Sequence, residues 1–261
     1  MNLSLIGRNA LVCGGSKGIG LASAKELALL GASVTLLARN EAALQDAVAQ
    51  LDTSNGQEHR FLVADAAHPA AMGNMVSLYT VHHRIHILVN NSGGPAAGPA
   101  HTAELDAFSA AFVQHLLANQ ALVRAVLPSM RDARFGRIVN IISTSVKQPL
   151  DNLGVSNTIR GAVASWAKTL SNELAGFGIT VNNVLPGATA TERLSQIISG
   201  AAARTGKTVA ATADKMAAEI PVRRFAEPAE VGAAVAFLCS PAAAYITGIN
   251  LPVDGGRTKS L

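Results

Sequence analysis

Tyrosine is nearly missing from this 261-residue chain; there are two, Tyr79 and Tyr245. Cysteine is as scarce. Cys13 and Cys239 both sit in apolar stretches without metal-ligand spacing, so they read as buried thiols of a reducing compartment. His82, His83 and His86 lack an accompanying carboxylate or cysteine, and read as a solvated cluster rather than a metal site; no metal is expected. Charge is sparse too, at 15% of residues, and its small positive excess (21 Lys+Arg against 17 Asp+Glu) is spread without a basic run. That disfavours nucleic acid as a partner and suits an anionic cofactor or acyl carrier. No apolar run is long enough to span a bilayer, and Met1–Arg8 has no basic segment followed by a long apolar one. A cytoplasmic protein with no membrane partner is expected.

Apolar residues are abundant, at 49%, enough for a sizeable core. The stretch that organises the chain is Cys13-Gly14-Gly15-Ser16-Lys17-Gly18-Ile19-Gly20, set between the apolar run Ala10-Leu11-Val12 and a helical pattern from Leu21 to Leu30. Strand, glycine turn and helix in immediate succession make a diphosphate seat. Glycine lets a phosphate approach the main chain, and the first-turn amides and the helix dipole favour negative charge. The spacing Gly14-xxx-Gly18-x-Gly20 differs from the common G-x-G-x-x-G fingerprint.

Further strands are expected at Ser33–Ala38, Phe61–Ala64, Ile85–Val89, Arg137–Ile142, Ile179–Val184 and Asn250–Val253. Helices are expected at Glu41–Leu51 (capped by Asn40), about Pro69–Val81, Ala103–Arg131, Val155–Ala175 and Pro228–Leu238. The alanine-rich segment 191–220 reads as a mobile cover of a substrate pocket. This alternation, without linker or repeat, predicts one α/β domain over 1–261: a Rossmann-like, doubly wound parallel sheet with helices on both faces. Ligand is expected at the carboxyl ends of the strands, where Gly14, Arg39, Asp65, Asn90, Ser143 and Pro186 fall.

With those positions in place, the chain resembles the short-chain dehydrogenase/reductase family over nearly its whole length. The matching motifs are Gly14-xxx-Gly18-Ile19-Gly20, Asp65, Asn90-Asn91-Ser92-Gly93, Ile138–Ser143, Pro186-Gly187, and Thr247-Gly248 with Val253-Asp254-Gly255-Gly256. The resemblance implies a nicotinamide cofactor. It would be seated on Gly14, Ser16, Lys17, Gly18, Ile19 and Gly20, with Asp65 and Ala66 at the adenine. Asn90 would lie by the ribose, Pro186, Thr189 and Thr191 would border the nicotinamide, and Ser92, Gly93 and Gly187 would also contact the cofactor. Members that prefer NAD place an aspartate at the end of the second strand. Here Ala38 and Arg39 stand there, and Arg39 with Lys17 suits the 2′-phosphate of NADP(H). The plainer alternative for Arg39 is a solvated charge at a strand end.

The same resemblance implies a catalytic Asn, Ser, Tyr and Lys, of which only Ser143 is present. Ser156 and Arg160 occupy the Tyr-x-x-x-Lys positions, and counting back from Pro128 puts His115 at the asparagine. A serine hydroxyl is a far weaker acid than a phenol, which titrates near about 10. Arg160 could keep the positive charge and ribose contacts, whereas Ser156 cannot simply inherit the proton. Lys147, on the loop after Ser143, and His115 are the candidate substitutes. Their alternatives are a solvent-facing Lys147 and a packed His115.

The resemblance thus implies an NADP(H)-dependent oxidoreductase of a small carbonyl/alcohol pair or an acyl thioester, with altered proton delivery. The alternative is a redox-inactive nucleotide-binding homologue acting as sensor or partner subunit. The family's helix and strand contacts also imply a homotetramer, consistent with apolar stretches such as Val163–Trp166 and Val231–Val235.

Overall fold

The apolar runs form a central sheet whose inner strands are buried on both faces, as a parallel sheet covered by helices requires. The structure is a computed structural model that describes residues 1–260. Its first half runs β1 (Asn9–Cys13), α1 (Gly18–Leu29), β2 (Ser33–Ala38), α2 (Glu41–Val48), β3 (Arg60–Val63), α3 (Pro69–Thr80), β4 (Ile87–Asn90), α4 (Leu105–Phe112) and α5 (Ala118–Asp132). Then come β5 (Gly136–Ile141), α6 (Gly154–Leu174), β6 (Ile179–Pro186), α7 (Glu192–Thr205), α8 (Val209–Ala218), α9 (Pro228–Cys239) and β7 (Asn250–Val253). The sheet order is β3-β2-β1-β4-β5-β6-β7, all parallel. The chain therefore reverses its winding between β1 and β4, and the crevice above their carboxyl ends is where such folds bind ligands.

Two apolar layers flank the sheet. On one face Leu27 and Ala28 of α1 and Val231 and Val235 of α9 pack on Val12, Leu36 and Val89. On the other, Met72 and Val76 of α3 and Leu122 and Val126 of α5 cover Leu11, Leu88 and Ile138. Each of these fully buried Val, Leu, Ile or Met side chains stabilises the fold by about 1.5–3 kcal/mol. The helices on the first face pack with backbones close together: a Cβ on Gly232 would lie 2.9 Å from the Ala22 carbonyl carbon. Among the described residues no helix is long and apolar enough to cross a membrane.

The expected elements are present, with three corrections. The helix expected to reach Leu51 stops at Val48, yet Leu51 is still buried from the turn beyond. The apolar spacing there reports burial, not helicity. The region 191–220 is helical. Thr191 and Thr208 cap α7 and α8 by accepting from Leu194 N and Ala211 N, and Gly206 ends α7 at φ +67°. Its alanines are strong helix formers, and that propensity outweighs their lack of bulk. The long helix before β5 is interrupted by a π-helical turn, Val113–Leu117, between α4 and α5. A further correction concerns His86, which is buried rather than solvated. Its Nδ1 accepts from Asn9 N at 3.0 Å, and burial, with Arg8 and Arg84 nearby, lowers its pKa. His83 instead stacks on Tyr79, with ring centroids 4.5 Å apart.

Candidate active site

Glycine geometry builds the first wall. Gly14 and Gly18 take positive φ (+58° and +56°), and a Cβ on Gly20 would lie 2.1 Å from the Gly14 carbonyl oxygen. Only glycine fits this turn. The turn delivers the chain into α1, whose N-cap, Lys17, makes no side-chain cap and whose first turn holds no acidic residue. The first-turn amides are thus left for a ligand. Asn91 Nδ2 holds the turn to the end of β4, donating to the carbonyls of Cys13 (3.3 Å) and Gly14 (3.4 Å).

The two cations assigned to a phosphate each face a carboxylate of their own. Arg39 Nη1, at the end of β2, stands 3.9 Å from Asp65 Oδ2. Lys17 Nζ pairs with Glu192 in the first turn of α7, and this contact lowers the Glu192 pKa. The Thr191 methyl also lies 3.5 Å from where a Cβ of Gly18 would be, so the start of α7 reaches over the glycine turn. Asp65 Oδ1 accepts from Ala67 N at 2.9 Å, which shapes the turn through Ala66.

Four asparagines form a hydrogen-bonded ladder across the second half of the sheet. Asn90 Nδ2 donates to Asn140 Oδ1 (2.8 Å), Asn140 Nδ2 to Asn183 Oδ1 (2.9 Å), and Asn183 Nδ2 to Asn250 Oδ1 (2.8 Å). Their Cα positions are paired from β4 to β7. Sequence reading did not single out Asn140, Asn183 or Asn250. The signal was present, since an asparagine recurs inside otherwise apolar strands.

Beyond β4, Ser92 Oγ lies 2.7 Å from His115 Nδ1. The π turn carries His115, which is 2% exposed. Burial first, and then the Arg160 charge, lower its pKa to about 3. His115 is thereby a neutral hydrogen-bonding group near neutrality, which favours the packed histidine over the proton donor of the two readings. Gly93 is exposed, and a Cβ there would meet no atom within 4 Å. Ser143, after β5, caps a short 3-10 turn (Thr144–Val146), its Oγ accepting from Ser145 N at 3.1 Å. Lys147 follows that turn, half-buried and held by a contact of its own.

Ser156 and Arg160 lie one turn apart on α6. Ser156 is half-buried, whereas Arg160 is buried and donates from Nη1 to the Ile141 carbonyl at 3.0 Å. Burial and the neighbouring Arg193 lower its pKa to about 10, so it stays charged near neutrality. Pro186 closes β6; Gly187 N donates to Val253 O (2.9 Å), and a Cβ on Gly187 would meet the Asp254 Cα at 2.7 Å. Thr189 Oγ1 donates to Gly187 O and Thr191 Oγ1 to Thr189 O, each at 3.2 Å. Neither tyrosine joins the site. Tyr79 Oη is bound to Thr35 Oγ1 at 2.8 Å, and Tyr245 is fully exposed.

Three buried side-chain atoms lack a hydrogen-bond partner among the described residues: Asn90 Oδ1, His115 Nε2 and Ser145 Oγ. Asn90 and Ser145 stand at the carboxyl ends of β4 and β5, and His115 is bonded to Ser92 just beyond β4. Unsatisfied buried groups are rare in native folds, and their concentration here fits a site completed by ligand.

A doubly wound sheet with a glycine turn after its first strand defines the class, a Rossmann-like α/β protein. The chain belongs to the short-chain dehydrogenase/reductase family. The family model described as enoyl-(acyl carrier protein) reductase matches residues 14–258. A tropinone reductase homolog of Arabidopsis thaliana is 34% identical over 98% of this chain and 77% of its own. The 3-oxoacyl-[acyl-carrier-protein] reductase of Synechocystis is 32% identical over 97% and 98%. Among solved structures, L-sorbose reductase from Gluconobacter frateurii, complexed with NADPH and L-sorbose, superimposes with a TM-score of 0.93 at 30% identity, covering 100% of both chains.

Proposed function

We propose that the protein is an NADP(H)-dependent oxidoreductase that interconverts a carbonyl and an alcohol, with 3-oxoacyl groups as one substrate class and a proton donor other than tyrosine. The observation that carries the reading is the end of β2, where Ala38 closes the strand without a carboxylate and Arg39 stands beside Asp65. A guanidinium there suits a 2′-phosphate, and the glycine turn with the uncapped α1 suits the diphosphate. The names of relatives support the same chemistry: an NADPH-dependent reductase of Bacillus subtilis is 29% identical over 97% of this chain.

NADPH, when bound, supplies the hydride. The residues here do the rest. Gly14, Ser16, Lys17, Gly18, Ile19 and Gly20 hold the diphosphate, Asp65 and Ala66 border the adenine, and Asn90, Ser92 and Gly93 lie along the ribose. Pro186, Gly187, Thr189 and Thr191 border the nicotinamide. Ser143 Oγ donates to the substrate oxygen. Arg160, fixed on the Ile141 carbonyl, supplies the positive charge the family's lysine provides. Its neighbour Ser156 is too weak an acid to protonate an alkoxide, so Lys147 Nζ gives up the proton to the forming hydroxyl.

Val163, Val231 and Val235, expected to present an apolar face, are instead buried in this chain's own core; the exposed Leu105, Phe112 and Leu117 of the α4–α5 segment support a homotetramer. The test of the activity is NADPH absorbance against a panel of 3-oxoacyl thioesters and small ketones; its fall supports the reading. The Ser156 and Arg160 replacements favour a second reading, a redox-inactive nucleotide-binding homologue. Tight NADPH binding with no turnover across the panel would select it.

A further inference from the structure

Arg160 and Arg193 bring two guanidiniums to one place, without a carboxylate for either among the described residues' ion pairs. Nη2 of Arg160 lies 3.9 Å, and Nη2 of Arg193 4.0 Å, from the point where a Cβ on Gly94 would sit. One small oxyanion beside Gly94 would therefore reach both. Arg160 is only 8% exposed, and its Nη1 is already engaged on Ile141 O. Arg193, near the start of α7, is steadied by a 2.7 Å bond from Nη2 to Pro95 O. Like charges held close in a partly dry site repel, an arrangement that an anion between them relieves.

We propose that Arg160, Arg193 and Gly94 form an oxyanion site that takes the carboxylate of the substrate, so that the protein acts on carbonyl compounds bearing an ionised carboxyl group. This rests on the oxidoreductase reading and narrows it. The cofactor's diphosphate has its own seat at the Gly14–Gly20 turn and the start of α1. Arg160 is anchored elsewhere, on the last residue of β5, two positions before Ser143. That anchor ties the site to the strand that leads to Ser143. Guanidinium forks suit a planar carboxylate. Buried His115 Nε2, without a partner and close enough for Arg160 to depress the ring's pKa, lies in the same neighbourhood.

The test uses malonate and its uncharged isostere malonamide, each titrated by calorimetry into the protein alone and into the protein saturated with NADP+. Malonate should bind both forms about tenfold or more tighter than malonamide. Arg193→Leu, a change at an exposed position, should weaken malonate about tenfold and leave NADP+ affinity within about twofold. Arg160→Leu should weaken malonate further, with its fold checked by circular dichroism. Equal binding of malonate and malonamide, or indifference to Arg193→Leu, would overturn the proposal. Exclusion of malonate by NADP+ would overturn it as well, by giving the site to the cofactor's phosphates. Failure to bind NADP+ at all would count against the oxidoreductase reading alone, and malonate titration into the protein by itself would still decide the anion site.

Discussion

Ser92 Oγ and His115 Nδ1, 2.7 Å apart, tie the loop after β4 to the π turn between α4 and α5. The bond satisfies one imidazole nitrogen and leaves Nε2 buried without a partner. π turns recur at functional sites because the extra residue re-aims side chains, and here one accompanies an inward-facing histidine.

That burial makes stability depend on pH. The His115 pKa is depressed from 6.5 to about 3. Between those values the unfolded chain binds the proton and the folded one does not, so stability falls as pH drops below about 6.5 towards 3. The slope from one such group approaches about 1.4 kcal/mol per pH unit. Buried His86 shifts the same way, so the informative quantity is a difference between variants. Urea unfolding at pH 7 and pH 5 should show the wild type losing about 1–2 kcal/mol more than His115→Asn. Equal losses would show that His115 is not held neutral by the fold.

Cofactor preference should rest on Arg39. NADP(H) offers it a 2′-phosphate that NAD(H) lacks, and charge-assisted contacts of this kind contribute about 1.5–3 kcal/mol. Arg39→Ala should weaken NADP+ by a factor of about ten or more and leave NAD+ nearly unchanged. In calorimetry, parallel losses for both cofactors would assign Arg39 to the adenosine generally and not to the phosphate. Asp65, 3.9 Å away, moderates the gain, since it competes for the same guanidinium.

Much of this was legible from local signals. Alternating strand and helix patterns, with glycines at positions 14, 18 and 20, specify the sheet and its ligand edge, because backbone geometry at that turn admits no other residue. What was illegible depends on contacts between distant segments. Nothing around Arg193 says that its guanidinium meets Arg160 across the Gly94–Pro95 loop. The asparagine ladder likewise needs strand register, which is set only when β4 to β7 pair. The helices of 191–220 were harder to read, because small side chains give no apolar face to follow; the caps at Thr191 and Thr208 are the local signal that marks where they start.

The ladder should contribute to stability in proportion to burial. Asn183→Leu removes the acceptor of Asn140 Nδ2 and the donor to Asn250 Oδ1. Asn140 is fully buried, so its amide is left unpaired, at a cost of about 1–3 kcal/mol. Asn250→Ala, at the half-buried end, should cost less. Denaturant midpoints for the two variants, read with unchanged slopes, would test this ordering; a larger loss for Asn250→Ala would contradict it.

The assignment of the proton donor stands or falls on three variants measured across pH. Ser143→Ala removes the hydroxyl proposed to bind the substrate oxygen, and should lower turnover about a hundredfold or more. The same change frees Ser145 N from its bond to Ser143 Oγ, an effect on the turn that a stability measurement separates from the loss of activity. Ser156→Ala should be nearly silent, since its hydroxyl is too weak an acid to deliver a proton near neutrality. Lys147→Met should reduce kcat about tenfold or more, because it removes the ammonium proposed to protonate the forming hydroxyl. If instead Ser156→Ala is the most damaging change and Lys147→Met leaves kcat intact, the proton travels through α6 and not through the turn after β5.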